Sequence, residues 1–517
     1  MLRFLAALFP AVMLVAQTNA PVCAVEGSVV NAATGEPIVR AHVMLMGPGG
    51  QKAVTTDTTG HWSFPSVGCG QTQVIATRPG FLQGAFGQPR PGAAFRPVIL
   101  VSGEPLHDVK IQLTPQAVVS GKVVDDHGDP LANAMVQALA PRIVAGLRTF
   151  QNVNTQSTND LGEYRLANLP PGKYIICATP QVVPFAFEPG DVSTVLGPAC
   201  YPGPPDSSSA GTIEARGSEN RADFTLSQVP SVKIRGSITN AVRGVGISLT
   251  KRFAMNGGRS QPGMVRPDGT FEVPSVIPGS YLLATDFFEG GRRLTARVPI
   301  EVGASDVEGV TVRLEPGFSL AGSVRVESAQ GQTAAPQNIR ISLRAVDPQL
   351  AGGGQFAWNS THDAFTISEL TPGNYWLEAF TNGSWYVKSA TLGGRDLLKE
   401  PAVLSAGAGR IEMTVRDDAG TLEGQIEDAD GQPAAGWVMV LQDGRTPRNI
   451  MSMPDGHFSI PGIAPGEYKV YSWDDWQQVE YANPDWMRRF ASGTSVTIDP
   501  AQTAHIKLRR QNVPDTP

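Results

Sequence analysis

Charge is scarce in this sequence. Only 17% of its 517 residues are Asp, Glu, Lys or Arg, and 41 basic against 47 acidic side chains leave a formal net charge of −6. No basic field exists to displace counterions from phosphates, so nucleic acid is not an expected partner. Histidine is rarer still. None of the seven (His42, His61, His107, His127, His362, His457, His505) has Glu or His three or four positions further on, so a zinc hydrolase site of His-x-x-Glu type is missing. The four cysteines include no Cys-x-x-Cys pair and no Cys/His cluster with zinc spacing. A Gly-x-Ser-x-Gly elbow is absent, and Gly352-Gly353-Gly354 lacks the Gly-Lys-Ser/Thr continuation of a phosphate loop. The expectation is a chain without cofactor, metal or catalytic residues.

Long hydrophobic runs are also missing, with one exception at the N-terminus. Arg3 is followed by an apolar stretch at 4–16, interrupted by Pro10, and then by Gln17-Thr18-Asn19-Ala20. The stretch falls short of the ~20 residues of a spanning helix and has the three-part layout of a secretory signal peptide. Cleavage after Ala20 is expected, with a retained anchor as the alternative. Val22 stands where a lipidated Cys23 would need a small residue, so lipidation is rejected. The mature chain should therefore carry no transmembrane segment and be secreted, periplasmic or displayed on the cell surface. Its cysteines fall as two near pairs, Cys23 with Cys69 and Cys177 with Cys200, which an oxidising compartment would join as disulfides. Buried free thiols are the alternative.

What abounds is turn-forming residues. Together 56 Gly and 42 Pro make up close to a fifth of the chain, against roughly 12% in average proteins, while 41% hydrophobic residues suffice for real cores. The turns punctuate an internal repeat. Five times the chain writes apolar-x-Gly-x-Val/Ile, with glycines at Gly27, Gly121, Gly236, Gly322 and Gly424. The spacing of roughly 100 residues is that of small domains rather than solenoid units. Each copy continues with a Gly/Pro turn such as His127-Gly128-Asp129-Pro130 and a second apolar strand. A Gly-x-aromatic strand follows, as in Gly60-His61-Trp62 or Gly456-His457-Phe458, although the fourth copy has Asp363-Ala364-Phe365. Next comes Pro-Gly-x-Tyr at Pro171, Pro278, Pro372 and Pro465, read as a type II turn opening a strand, with Cys69-Gly70-Gln71-Thr72 in its place in the first copy. Strict alternation in these short segments predicts half-buried strands of β-sandwiches.

The four motifs together resemble the carboxypeptidase regulatory-like domain, over nearly the whole mature chain. The resemblance implies a transthyretin-like (prealbumin-like) or starch-binding-like fold, and a repeat protein without a catalytic domain. The expected architecture is all-β, a tandem array of five small seven-stranded Greek-key sandwiches. They are expected at 21–115, 116–229, 230–316, 317–417 and 418–511, after a signal peptide at 1–20 and before a disordered tail at 512–517. The second copy carries a Pro/Gly/Ser-rich excursion at 181–218, and the fifth an aromatic-rich insertion at 474–492.

Few side chains suggest chemistry. Asp125-Asp126-His127-Gly128 and Asp428-Ala429-Asp430-Gly431 resemble calcium loops, but Met439 stands where a twelfth-position glutamate would be needed. Ordinary hairpin turns are expected there. His61 and His457 should lie solvated on the outer face of their strands. The last copy concentrates Tyr471, Trp473, Trp476, Tyr481 and Trp486. Parity puts Tyr471 and Trp473 on the face opposite Tyr468 and Val470, as an aromatic platform for sugar rings or as a second small core capped by a short helix at 484–490. Trp385, beside Tyr386, is a further candidate, one of the two rings being expected outside. The function expected is that of a secreted, non-catalytic binding, adhesion or spacer protein. Its partner would be a carbohydrate or cell-envelope polymer. An accessory subunit of a secreted peptidase or envelope transporter, with an envelope protein as partner, is the second reading, and an unrecognised hydrolase the third.

Overall fold

The computed structural model describes residues 22–513 except 89, 94–96, 182–193, 202–211, 218, 253–259, 291, 330, 332–338, 348, 382, 443–445 and 491. The expected signal peptide, much of the 181–218 excursion and the end of the tail lie outside the described residues. Strands dominate. Helix among the described residues is confined to one 3-10 turn, Trp476–Gln478, and one α-helical turn, Pro484–Met487. The chain divides into two compact units, one of residues 1–118, 167–171 and 216–218, the other of 119–166, 172–215 and 219–517.

In the first unit two sheets face each other. One orders His61–Gly68, Val22–Asn31 and Leu106–Leu113; the other orders Gly50–Thr55, His42–Gly47, Gly70–Thr77 and Gly84–Ala85, with Val98–Leu100 also on Gly70–Thr77. Alternation along each strand sends Val25, Val29, Trp62, Phe64, Val43, Val74 and Ile111 into the layer between them. In the second unit the third and fourth copies bury separate cores and the fifth buries two. In the third copy the strand Ser260–Val265 pairs with Ile247–Lys251 at its start and with Thr270–Val276 at its end, joining both layers into one bent sheet.

The opening glycines have a common steric cause. Each repeat-opening strand runs between the aromatic strand and a parallel closing strand, and Gly27, Gly236, Gly322 and Gly424 sit directly opposite Trp62, Phe271, Phe365 and Phe458. A Cβ on Gly27, Gly121, Gly236 or Gly424 would lie 1.9, 1.9, 2.0 or 2.1 Å from a carbonyl oxygen of the adjacent segment (Val109, Ala222, Val310 or Ile506). On Gly322 it would meet the Phe365 ring at 2.1 Å. Close backbone approach and a covering ring leave room for hydrogen alone. The glycine and the aromatic, 34–43 residues apart in sequence, thus belong to one packing arrangement on neighbouring strands.

Other motif residues serve the backbone. The carbonyls of Gly60, Gly162, Gly269 and Gly456 accept from Val29, Val123, Ile238 and Ile426, and in the fourth copy Asp363 takes the same place toward Val324. The Pro-Gly-x-Tyr tyrosines reach back four residues: the hydroxyls of Tyr281, Tyr375 and Tyr468 donate to the carbonyls of Ile277, Thr371 and Ala464, each at 2.7 Å. Each ring thus ties its strand to the loop that enters it. At Gly279 and Gly466 φ is 154° and 153°, far from the ~80° of the expected type II turn, and at Gly172 and Gly373 φ is not left-handed at all. Both glycines already open a strand, Gly172–Thr179 and Gly373–Phe380. Part of the excursion after Cys177 is built into the sheet too, since Ala199–Tyr201 and Ile213–Ala215 pair with Gly172–Thr179.

Candidate functional site

Both expected disulfides are present. Cys23–Cys69 joins the opening strand to the turn before Gly70, closing 46 residues. Cys177 and Cys200 are directly opposed on neighbouring strands with Cα atoms 4.0 Å apart. Their sulfurs lie on the face opposite Tyr174 and Ile176, where Leu139, Ile175 and Phe150 form a small second cluster around them.

The acidic turns are used internally. Asp125 Oδ1 accepts from the amides of His127 and Asp129, and Asp428 Oδ1 from those of Asp430 and Gln432. Such Asx turns stabilise the hairpin reversal. His61 and His457 are exposed, as strand parity suggests.

The aromatic residues of the last copy form a core. Trp473 is 0% exposed and packs with Met439, Tyr471, Val479 and Trp486, while Trp476, Tyr481 and Phe490 close the cluster from outside. The ring of Phe490 meets Trp473 edge-on at 4.9 Å and Trp486 at 4.5 Å. The covering segment is held by a short helix, Pro484–Met487, capped by the Asn483 side chain, which accepts from the Trp486 amide, and started by a proline. A platform for sugar rings needs open faces, and Tyr471, Trp473 and Trp486 have none. Trp385 and Tyr386 are likewise both buried. The strand begins only at Tyr386, so alternation does not govern Trp385, which turns into the core of the fourth copy.

What the insertion does with its outer side is dock a neighbour. The hairpin of Met135–Val144 and Leu147–Ser157 brings Gly146 so close that a Cβ there would lie 2.6 Å from the Tyr481 ring. The Ala482 amide donates to the Gly146 carbonyl at 3.1 Å, and Arg148 Nε donates to Glu480 Oε1 at 2.7 Å. Second and fifth copies, expected as separate beads, are joined here within the second unit.

A second junction, between fourth and fifth copies, leaves a cleft of about 490 Å³. It is pinned on one side, where Gly462, at φ 71°, would carry a Cβ 2.6 Å from the Gly383 carbonyl oxygen, and Ala419 donates to the Ser384 carbonyl at 2.9 Å. The fourth copy supplies Arg344, Trp376 and Glu378 to its wall, and the fifth supplies Gln442, Arg448 and Asn449. Glu378 Oε1 accepts from Arg344 Nε at 2.8 Å and, across the junction, from the Thr446 hydroxyl at 3.2 Å. Its charge is thereby neutralised. Arg448 donates to the Gly462 carbonyl at 3.2 Å and has no carboxylate in ion-pair range among the described residues. Loss of water around its guanidinium lowers its pKa from the ordinary arginine value, with nearby Tyr468 opposing that shift. The side-chain oxygens of Gln442 and Asn449 are buried without a hydrogen-bond partner. None of these six residues was singled out from sequence. Trp376 could have been, because it follows Tyr375 and alternation turns it to the opposite face.

Comparison with known proteins bears on the first unit. Residues 24–114 match the carboxypeptidase regulatory-like domain. This first regulatory-like copy contains the glycine–aromatic contact that recurs in the later ones. No curated protein sequence matches the chain. Among solved structures, the chain is 14% identical to the Bacillus anthracis TIE protein, with a TM-score of 0.18, over 57% of this chain and 51% of that one. The chain thus spans about half the length of that protein. A Streptococcal ancillary pilin is 12% identical with a TM-score of 0.20, over 57% of this chain and 99% of that one. The full-length RrgB pilus protein of Streptococcus pneumoniae is 8% identical with a TM-score of 0.15, over 78% and 99%.

Proposed function

We propose that the chain is a non-catalytic surface or spacer protein of an oxidising extracytoplasmic compartment, an array of five regulatory-like sandwiches that holds an extracellular carbohydrate polymer. What supports this reading is one glycine-and-aromatic motif that recurs through the chain, with two junctions that join copies within the second unit. Two disulfides support exposure to an oxidising medium. Strands closed by tight packing and cross-copy contacts suit a mechanical and binding role, in which ligand affinity is gathered along an array.

The test is cosedimentation of the purified full chain with cell-envelope polysaccharides, with release of reducing ends or peptides monitored in parallel. Retention without turnover is expected. Turnover that a single carboxylate-to-amide substitution abolishes would overturn it.

A further inference from the structure

We infer that the cleft between the fourth and fifth copies is a binding site for an acidic sugar, a uronate unit of a polysaccharide. The inference rests on the carbohydrate-binding reading above and assigns it to a place that reading does not specify. The argument is one of complementarity. With Glu378 neutralised by Arg344, the charge left on the wall among the described residues is the Arg448 guanidinium, which calls for an anion. Gln442 and Asn449 line the same wall, and a side-chain amide can both donate to a carboxylate and accept from a hydroxyl. Trp376 supplies an aromatic surface on the same wall.

A carboxylate and several hydroxyl donors on one flat ring are the groups of a uronate. A neutral sugar leaves Arg448 unanswered. Phosphate or sulfate alone offers no ring face to Trp376. An acidic peptide offers carboxylates and amide donors but no rigid ring of hydroxyls at that spacing. Because Gly462 and Gly383 fix the copies in contact, the cleft is largely preformed, and little ordering is needed on binding.

The experiment is calorimetric titration of the full chain with three probes: an oligogalacturonate, its carboxyl-reduced neutral counterpart, and an oligoglutamate of similar length. The oligogalacturonate should bind, with affinity falling as salt rises, and the neutral counterpart should bind about tenfold or more weakly. Arg448→Gln should weaken oligogalacturonate about tenfold or more and leave the neutral counterpart unchanged. Trp376→Ala, a change on the outer face of its strand, should weaken both sugars. Equal binding of oligoglutamate with the same Arg448 dependence would make the site a peptide site and overturn the assignment. Binding of oligogalacturonate that neither variant weakens, with both variants folded, would refute the cleft while leaving a carbohydrate function elsewhere. Failure to bind this or any envelope polysaccharide would refute the broader reading as well.

Discussion

Removing Arg148 tests whether the second and fifth copies are truly joined. Arg148 and Glu480 are 332 residues apart in sequence, and their side chains are 24% and 9% exposed. In Arg148→Met the Glu480 carboxylate stays buried and keeps a donor from the Asn483 amide at 2.9 Å. Breaking a buried pair from one side costs about 3–5 kcal/mol. The surviving donor and the partial exposure of Arg148 place the expectation at the lower end, about 3 kcal/mol. The loss should fall on local opening of the junction, because each copy keeps its own core. Native-state hydrogen exchange reads this at the Ala482 amide, whose acceptor is the Gly146 carbonyl. Its protection should drop about 100-fold, since 1.4 kcal/mol corresponds to a factor of ten. Glu480→Gln alone should also loosen the junction, and the double variant should recover part of the loss, with a coupling of about 1 kcal/mol or more. Unchanged protection of Ala482 together with zero coupling would show that the copies do not associate through this pair.

Three further outcomes are expected. Gly424→Ala should destabilise the fifth copy by about 1–3 kcal/mol. Adding Phe458→Leu should not rescue it, because the Ile506 carbonyl at 2.1 Å is the nearer obstacle and Phe458 Cζ, at 2.8 Å, the farther; denaturant midpoints measured by tryptophan fluorescence decide it. Replacing Cys23 and Cys69 together by Ser should cost the first unit about 4 kcal/mol, the chain-entropy value for a 46-residue closure, and a thermal midpoint unchanged from the oxidised protein would contradict this. Burial first, and then the Asp418 carboxylate, push Tyr386 up to about 12 from 10.0. Its raised value means the folded state keeps the proton longer than the unfolded chain, so this contribution is complete below pH 10 and is lost as pH rises toward 12. Tyr386→Phe should flatten that alkaline loss in urea titrations, and an identical slope in both proteins would refute the assignment.

Sequence patterning alone determined the repeat motif, the alternation of the strands and the faces of Tyr471 and Trp473; it favoured, without fixing, the cysteine pairs that the structure joins. Tyr471 and Trp473 do lie opposite Tyr468 and Val470, because a strand has a period of two whatever packs on it. Whether that face is open or covered does not follow from the period. It depends on where the chain at 474–492 comes to rest, and the structure lays Trp486 and Phe490 over Trp473. The Pro-Gly turns were misjudged for a related reason. Dipeptide preference describes an isolated reversal, whereas Gly172 and Gly373 are drawn into sheet pairing with Ala215 and Leu404. The cleft and the Arg148–Glu480 pair lay furthest from sequence reading, because each is assembled from two copies whose own motifs are already satisfied locally. Only tertiary packing decides which outer faces meet, since a repeat of period ~100 specifies every sandwich alike and says nothing of which neighbour it will touch.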